Sequence, residues 1–417
     1  MYREIKGFNV LASLVVALFF FPSITFGTLE AEVFPWGIIL SLLILIKQRK
    51  INVYYLFFLL ILLINILYST IIYFGELKIP EVIRSIFAYL NSSLCLVVFY
   101  QASETSTLKT LKLVKKLFQF LLILGLLQFS GIITFLDPVF KFLIPRASSE
   151  SLSYVSRGVT LLATEPARAG VSITFFYIAV RTVFLKSNKT YYDIAFLVFL
   201  TIVLKSIMAL GVYTVFILLV YRMKLLKVLI IVFVLAVFVD VFGGGGRAFK
   251  MIEKIKNQES LSDATMVVVD LAGPRLISIY SSWLYSTHNP LGGGIGYWRT
   301  TSVDALNMTG VDFSKINYFK FKGNSKAVAT RSSGYISNLV LDTGIIGVLI
   351  FMLFLYAIFN RFWKNGRDSQ NVILIFMFKI LFIGSVGPPD AWILSIIALK
   401  YLDYNRMNNN SLISNNE

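Results

Sequence analysis

Side chains that bind metals or form disulfides are almost absent from the sequence. Its 417 residues include one cysteine, Cys95, and one histidine, His288. A single cysteine excludes an internal disulfide, and the two residues together provide too few ligands for a zinc site of the usual kind. We therefore expect no metal and no cofactor, so any chemistry has to rely on other charged and polar side chains.

Acidic residues are also scarce, because 22 aspartates and glutamates stand against 39 lysines and arginines and leave a formal charge of +17. In a soluble protein this excess would point to nucleic acid. However, 57% of the residues are hydrophobic and the mean hydropathy is +0.76, whereas soluble domains are about 45–50% apolar. The composition predicts a polytopic membrane protein with its basic residues mainly in cytoplasmic loops and no nucleic acid as a partner.

Long apolar runs divide the chain. A transmembrane helix needs about 20 mostly apolar residues, and the runs that come near this length cover residues 8–27, 33–46, 51–74, 82–100, 117–136, 170–185, 192–208, 210–221, 228–242, 334–359, 371–386 and 391–402. They predict an all-α integral membrane protein of about 12 transmembrane helices, although the second, eighth and twelfth runs are short. No small-residue cleavage site follows the first run, so we interpret it as a retained signal anchor.

Basic residues alternate between the two sides of this arrangement. Loops on the N-terminal side are basic, whereas residues 28–32 are acidic and residues 387–390 hold only Asp390. The positive-inside rule then predicts that both termini are cytoplasmic. The predicted organisation is five spans in 1–136, an outer loop in 137–169, spans six to nine in 170–242, a large, partly helical outer loop in 243–333, three spans in 334–404 and a disordered cytoplasmic tail in 405–417.

The two long outer loops carry 15 lysines and arginines between them. Long loops escape the positive-inside rule, so these cations do not contradict the topology. Two interpretations stay open at this point: the cations bind an anionic ligand, or they form a solvated surface.

The first outer loop ends in a helix start signal at the mouth of the sixth span. Pro166 suits the first turn of a helix, and either Thr164 or Glu165 can cap it. Glu165 and Arg168 are therefore either a cap and a snorkelling arginine, or a carboxylate that accepts a proton beside a cation that binds phosphate. Lys205, late in an apolar run, either snorkels to the surface or marks a functional site.

The large loop contains further candidates. Residues 247–256 are amphipathic, as is typical of a helix in the membrane interface, and follow a glycine hinge at 243–246. Arg275 falls in the first turn of a predicted helix, where free N–H groups favour anions; the alternative is a solvated face. That helix has apolar residues at 276, 280, 283 and 284. His288 precedes a glycine-rich turn and is either a general base or a turn residue.

Three stretches carry a family pattern. The first is Arg157-Gly158 followed by Thr164-Glu165-Pro166 before a span. The second runs from Arg275 through Trp283 to Pro290-Leu291-Gly292-Gly293-Gly294-Ile295-Gly296, and the third from Gly334-Tyr335 through Asn338 and Asp342 to Gly344 and Gly347. Together they resemble the Wzy-type O-antigen polymerases, within the wider group that includes the O-antigen ligases.

Two positions depart from the pattern. Lys205-Ser206 stands where relatives commonly have Ser-Arg, and Arg331 stands where ligases place a histidine. The second departure favours a polymerase over a ligase. The resemblance implies a GT-C-like glycosyltransferase in the bacterial inner membrane, with undecaprenyl-diphosphate-linked oligosaccharides, membrane lipids and a chain-length regulator as partners. It implies metal-independent transfer of the growing glycan onto the non-reducing end of a new repeat unit at the periplasmic face.

The resemblance also implies roles for individual residues. Arg157, Lys205 and Arg275 are expected to bind the diphosphate, and Arg168, Arg299 and Arg331 to make further contacts with the substrate. Glu165 is the first candidate to activate or orient the acceptor hydroxyl, with His288 as the second. The alternatives are an O-antigen ligase that transfers glycan to the lipid A core, and a transporter of polysaccharide or lipid.

Overall fold

The computed structural model describes residues 11, 14–16, 35–49, 51–73, 79–139, 158–185, 189–222, 274–313, 316, 318–319 and 327–414. All regular elements in these ranges are helical. They are α1 (Pro35–Gln48), α2 (Val53–Ile72), α3 (Ile79–Gln101), α4 (Glu104–Phe129), α5 (Pro166–Phe184), α6 (Lys189–Val198), α7 (Ile207–Tyr221), α8 (Pro274–His288), α9 (Trp298–Asn307), α10 (Tyr335–Trp363), α11 (Arg367–Phe382) and α12 (Asp390–Ser414). A short 3₁₀ helix covers Thr134–Leu136, and α6 continues into a π-helix at Phe199–Leu204.

Among the described helices, α2, α3, α5 and α10 are long and apolar enough to cross a membrane. The outer face of α2 has the matching surface, because Phe57, Leu63, Leu67 and Ile71 are each more than half exposed. A continuous apolar surface of this kind is unfavourable in water and suits lipid. The described ranges therefore form an all-helical, membrane-associated protein.

Most of the predicted apolar runs coincide with helices. Runs 33–46, 51–74, 82–100, 170–185, 334–359, 371–386 and 391–402 fall on α1, α2, α3, α5, α10, α11 and α12 respectively. Run 228–242, most of run 8–27, the interfacial segment 247–256 and Arg157 lie outside the described residues.

The fifth run, 117–136, was placed wrongly at both ends. α4 begins at Glu104, where the Ser103 side chain accepts a hydrogen bond from the Ser106 N–H at 3.3 Å, and it ends at Phe129. Lys109 and Lys112 therefore lie on a helix rather than in a loop. Hydropathy marks where a helix is apolar, but a capping serine decides where it starts.

The seventh and eighth runs meet at a turn that hydropathy did not locate. The π-helix ends at Lys205, which has left-handed backbone angles of φ 50° and ψ 36°, and Ser206 caps α7 by accepting from the Ala209 N–H at 3.3 Å. Tyr213 and Tyr221 of α7 reach back to Asp193 in α6. The two helices therefore run antiparallel, with Lys205 in the turn instead of inside a span.

The C-terminal tail also differs from the prediction. Composition predicted disorder over residues 405–417, whereas α12 continues to Ser414. Arg406 donates hydrogen bonds to the Lys364 carbonyl and to Asn365 Oδ1 at the end of α10. These tertiary contacts outweigh the low helix propensity of the asparagines.

An aromatic cluster at the centre of the fold fixes the helix ends that matter for the site. The ring of Trp392 in α12 lies 4.9 Å from that of Tyr335 in α10, and Tyr335 lies 5.0 Å from Phe351. Such pairs contribute roughly 0.5–1.5 kcal/mol each beyond the burial of their surface. Since Asp390 and Asn338 are within a turn of these rings, the starts of α10 and α12 are held in place.

Candidate functional site

A cavity of about 590 Å³ lies between the start of α5, the first turns of α8 and α9, the segment before α10, and the loop between α11 and α12. One part of its wall is apolar and includes Leu121, Val171, Phe176, Ile393 and Leu394. The other part carries charge: among the described residues it is lined by Arg168, Arg275, Arg331, Lys379, Glu165 and Asp390. The cavity therefore combines an apolar surface with four cations and two carboxylates.

This cavity brings together four of the residues that the sequence predicts. Glu165 and Arg168 come from the first outer loop, whereas Arg275 and Arg331 come from the beginning and the end of the described part of the large loop. Residues separated by more than 100 positions thus share one surface, and an anion in the cavity would face guanidinium groups from both loops.

Glu165 does not cap the helix with its side chain. It occupies the N-cap position of α5 in an extended conformation, with Pro166 next to it, yet the side chain makes no cap hydrogen bond. Its carboxylate accepts no hydrogen bond within the described part of the chain, and the residue is exposed. The cap interpretation is wrong for this side chain, which leaves the carboxylate available to a ligand.

Arg331 is held in place by two neighbours. Its Nε donates to Asn338 Oδ1 at 3.3 Å, and its guanidinium carbon lies 5.6 Å from the centre of the Trp298 ring. Asn338 in turn donates to the carbonyls of Ser332 at 2.7 Å and Gly334 at 2.6 Å. A planar cation fixed in this way is suited to bidentate recognition of a phosphate.

Arg275 is the second residue of α8 and is exposed, so it lies among the free backbone N–H groups of the first turn. The rest of the helix packs differently from the predicted face, because Leu276 and Tyr280 are 50% and 58% exposed. The buried face is instead formed by Ile277, Ser278, Ser281, Ser282 and Tyr285. Small serines let α8 lie close to α10, and the apolar periodicity of the sequence could not show this.

The glycine-rich turn anchors the large loop to α10. Gly344 interrupts α10 with φ 67° and ψ −170°, so the helix exchanges hydrogen bonds with the turn. Gly294 donates its N–H to the Asp342 carbonyl at 2.9 Å, and the Ile346 N–H points to the Pro290 carbonyl at 3.5 Å. A Cβ atom on Gly344 would lie 1.9 Å from that carbonyl oxygen. The turn's role in the described fold is therefore packing, and its glycines are required by close approach.

Three predicted residues lie outside the cavity lining. His288 ends α8 in an exposed position, with its Nδ1 within 3.1 Å of Thr287 Oγ1 and 3.2 Å of the Leu284 carbonyl. Arg299 pairs with Glu81, with 3.1 Å between Nε and Oε1. Burial raises the pKa of the nearby Tyr285 to about 12, which keeps this phenol neutral.

Lys205 is the third of these residues, and it lies beside Gly158 and Val159. The Val159 N–H donates to the Val203 carbonyl at 3.3 Å, and a Cβ atom on Gly158 would lie 1.9 Å from the Leu204 carbonyl oxygen. The glycine thus lets the chain pass directly over the turn at Lys205. The structure places Lys205 next to Gly158, but not in the cavity with Arg275.

Many residues of the cavity lining were not among the predicted site residues, and four of them bear on its chemistry: Lys379, Asp390, Trp298 and Asn338. Two of them had a signal in the sequence: Lys379 is a charge inside an apolar run, and Asn338 lies in the third stretch that carries the family pattern. The loop that bears Asp390 is fastened to α3, because Ser92 Oγ donates to the Val386 carbonyl at 2.9 Å. Within the described ranges, no group of three His, Cys, Asp or Glu side chains is placed as metal ligands would be.

These features define a class of helical membrane protein with a charged cavity at one end of the bundle. Comparison with known proteins adds no narrower assignment: no protein-family model matches the sequence, and no curated protein matches it either.

Proposed function

We propose that the protein is a membrane glycosyltransferase of the O-antigen polymerase type, which joins undecaprenyl-diphosphate-linked repeat units. The observation that carries the proposal is the cavity, in which an apolar wall adjoins Arg168, Arg275, Arg331 and Lys379, and in which Glu165 and Asp390 are the carboxylates among the described lining residues. A lipid-linked diphosphate has the complementary form, because an apolar chain is attached to two adjacent negative charges.

The topology that goes with this function has twelve spans in the bacterial inner membrane, both termini in the cytoplasm and the cavity at the periplasmic face. The distribution of basic residues between loops supports this orientation. The end of α5 away from the cavity carries Arg181 and leads towards Lys189, as a cytoplasmic end should.

The chemistry would be a displacement at the anomeric carbon of the growing glycan. The acceptor hydroxyl forms the new C–O bond while the bond from that carbon to the diphosphate oxygen breaks, and the electron pair stays on the diphosphate. Arg275 and Arg331 would stabilise the charge that develops there, which removes the need to protonate the leaving group. Glu165 would accept the proton of the hydroxyl.

Two other functions remain as alternatives to this proposal. A ligase would use the same kind of cavity, but Arg331 stands where the resemblance leads us to expect a histidine. A transporter would carry charges along a path between both faces, whereas the charged residues that line this cavity lie at one end of the bundle. Both observations favour the polymerase.

The test is the lipopolysaccharide pattern of the native host with and without the gene. We expect the deletion strain to show single repeat units on the core, and the ladder to return with the wild-type gene but not with Arg275→Ala at equal expression. A full ladder in the deletion strain would rule out the polymerase. Polymer that is made but not attached to the core would identify a ligase.

A further inference from the structure

Lys379 differs from the other cations of the cavity in its burial. Arg275 is exposed, Arg168 and Arg331 are half-buried, and Lys379 is only 3% exposed in the last turn of α11. The cations therefore form an outer group of arginines and one inner lysine. A buried ammonium is unfavourable unless a negative charge or hydrogen-bond acceptors offset its desolvation.

A structural role would explain a lysine at a helix C-terminus, and the chain provides a direct comparison. Lys400 in α12 is also partly buried, and its Nζ donates to the carbonyls of Phe99, Tyr100 and Ala102, so it caps the end of α3. Lys379 Nζ makes no such hydrogen bond within the described residues, and its side chain lines the cavity instead. The two lysines thus have different tasks.

The charge near Lys379 is not fully offset by the protein. Asp390 acts electrostatically on Lys379 across the loop between α11 and α12, but the two residues form no ion pair within 4.0 Å in the described structure. Among the described lining residues, four cations against two carboxylates leave an excess of two positive charges. A diphosphate that is esterified at both ends carries two negative charges, one on each phosphate.

We propose that Lys379 binds the inner phosphate of a lipid-linked diphosphate while the arginines bind the outer one, so that Lys379 makes the cavity select a diphosphate over a monophosphate. This inference rests on the proposed function for the identity of the substrate. It names a residue that determines specificity, and it gives the buried lysine its negative partner.

The test uses the purified full-length protein in lipid nanodiscs and two probes: an undecaprenyl-diphosphate-linked monosaccharide and its monophosphate-linked counterpart. We expect the wild type to bind the diphosphate roughly tenfold more tightly, which corresponds to one charge-assisted hydrogen bond. Lys379→Met should lose this preference, because its affinity for the diphosphate probe should fall to its affinity for the monophosphate probe. An unchanged preference, or equal loss of affinity for both probes, would overturn the proposal.

Two further variants guard against effects on folding. Lys400→Met removes a partly buried lysine outside the cavity, and it should lower stability but leave the ratio of the two affinities unchanged. Asp390→Asn removes the carboxylate that acts on Lys379, so diphosphate affinity should rise a few-fold; a fall would contradict the proposed arrangement.

The outcome can be separated from that of the proposed function. Suppose that the ladder depends on the gene as the proposed function requires, but that the Lys379→Met protein keeps its preference for the diphosphate. That outcome would reject the role of Lys379 and leave the proposed function standing. Selective, Lys379-dependent binding of diphosphate in a protein whose loss leaves the ladder intact would reject the polymerase and retain the inner phosphate site.

Discussion

Charged clusters occur at both ends of α5, and the two clusters are built differently. At one end, Arg181 donates to both carboxylate oxygens of Asp193 at 2.7 and 2.8 Å, and the hydroxyls of Tyr177 and Tyr221 donate to the same carboxylate at 2.5 and 2.6 Å. At the other end, about 20 Å away by the rise of 13 helical residues, Arg168 faces the cavity.

The difference teaches what each cluster is for. The carboxylate of Asp193 already accepts four hydrogen bonds, and Arg181 is only 3% exposed, so this cluster has no room for a ligand. Its role is structural, because it holds α5, α6 and α7 together. The cavity cluster has more cations than carboxylates and is open to a ligand. Within it, the buried ammonium of Lys379 is unfavourable unless a negative charge or hydrogen-bond acceptors offset its desolvation.

Breaking the closed cluster should have the largest effect on stability. Asp193→Ala leaves the Arg181 guanidinium buried without its carboxylate, and loss of one partner of a buried pair costs roughly 3–5 kcal/mol. Thermal unfolding in detergent should show a markedly lower midpoint, while glycan polymerisation per folded molecule stays near the wild-type level. Equal loss of specific activity and stability would mean that the two ends of α5 are not independent.

Breaking the open cluster should do the reverse. In the proposed reaction, Arg331→Ala removes a fixed cation that would stabilise the developing charge of the diphosphate, and loss of one such electrostatic contact lowers the rate roughly 100- to 1,000-fold. The unfolding midpoint should change little. The matched control is Arg361→Ala at the far end of α10, where the arginine pairs with Asp403 outside the cavity; this variant should keep its activity.

Glu165→Gln sharpens the comparison within the cavity itself. The variant keeps the size and the backbone position, but it removes the group that would accept the proton, so we expect roughly a 100-fold lower rate of polymerisation at unchanged stability. The rate is measured with purified protein and a lipid-linked repeat unit. Normal polymer length and rate would show that Glu165 has no part in the chemistry.

Several charged residues of the cavity lining were predicted from the sequence, but their arrangement was not. Glu165, Arg168, Arg275 and Arg331 were found because charged residues beside helix starts and in outer loops are unusual enough to notice. Their meeting point was not predictable, since it depends on how two loops pack against each other. Lys379 is a charge inside an apolar run, which marks it as unusual, but nothing in the sequence places it beside the arginines.

The corrections have one physical origin. Hydropathy reports the environment of a side chain, whereas helix ends depend on individual caps and tertiary contacts. The Ser103 cap moved the start of α4, the left-handed Lys205 moved the turn between the seventh and eighth runs to residues 205–206, and Arg406 extended α12 into an asparagine-rich tail. Tertiary contacts also explain the glycine-rich motif, which the sequence alone predicted only as a turn. Hydrogen bonds join this turn to the residues on either side of Gly344 in α10.

The smallest expected effect comes from Asn338, a neutral residue of the cavity lining that positions Arg331. Asn338→Ala removes one hydrogen bond to Arg331 Nε and two to the loop carbonyls of Ser332 and Gly334, so we expect about a tenfold loss of rate. Asn338→Asp keeps the acceptor for Arg331 but loses the donor to the loop. If Asn338 acts by orienting Arg331, the aspartate variant should bind diphosphate less tightly than wild type, because its charge competes for the guanidinium, while the alanine variant should lose mainly turnover.

Asn65 in α2 provides a matched control, because it is a buried amide that holds the glycine-rich turn through Leu291 and Ile295. Asn65→Ala should lower stability but leave the diphosphate affinity and the turnover of the folded protein unchanged. The same kinetic pattern in the Asn65 and Asn338 variants would reduce Asn338 to a purely structural residue.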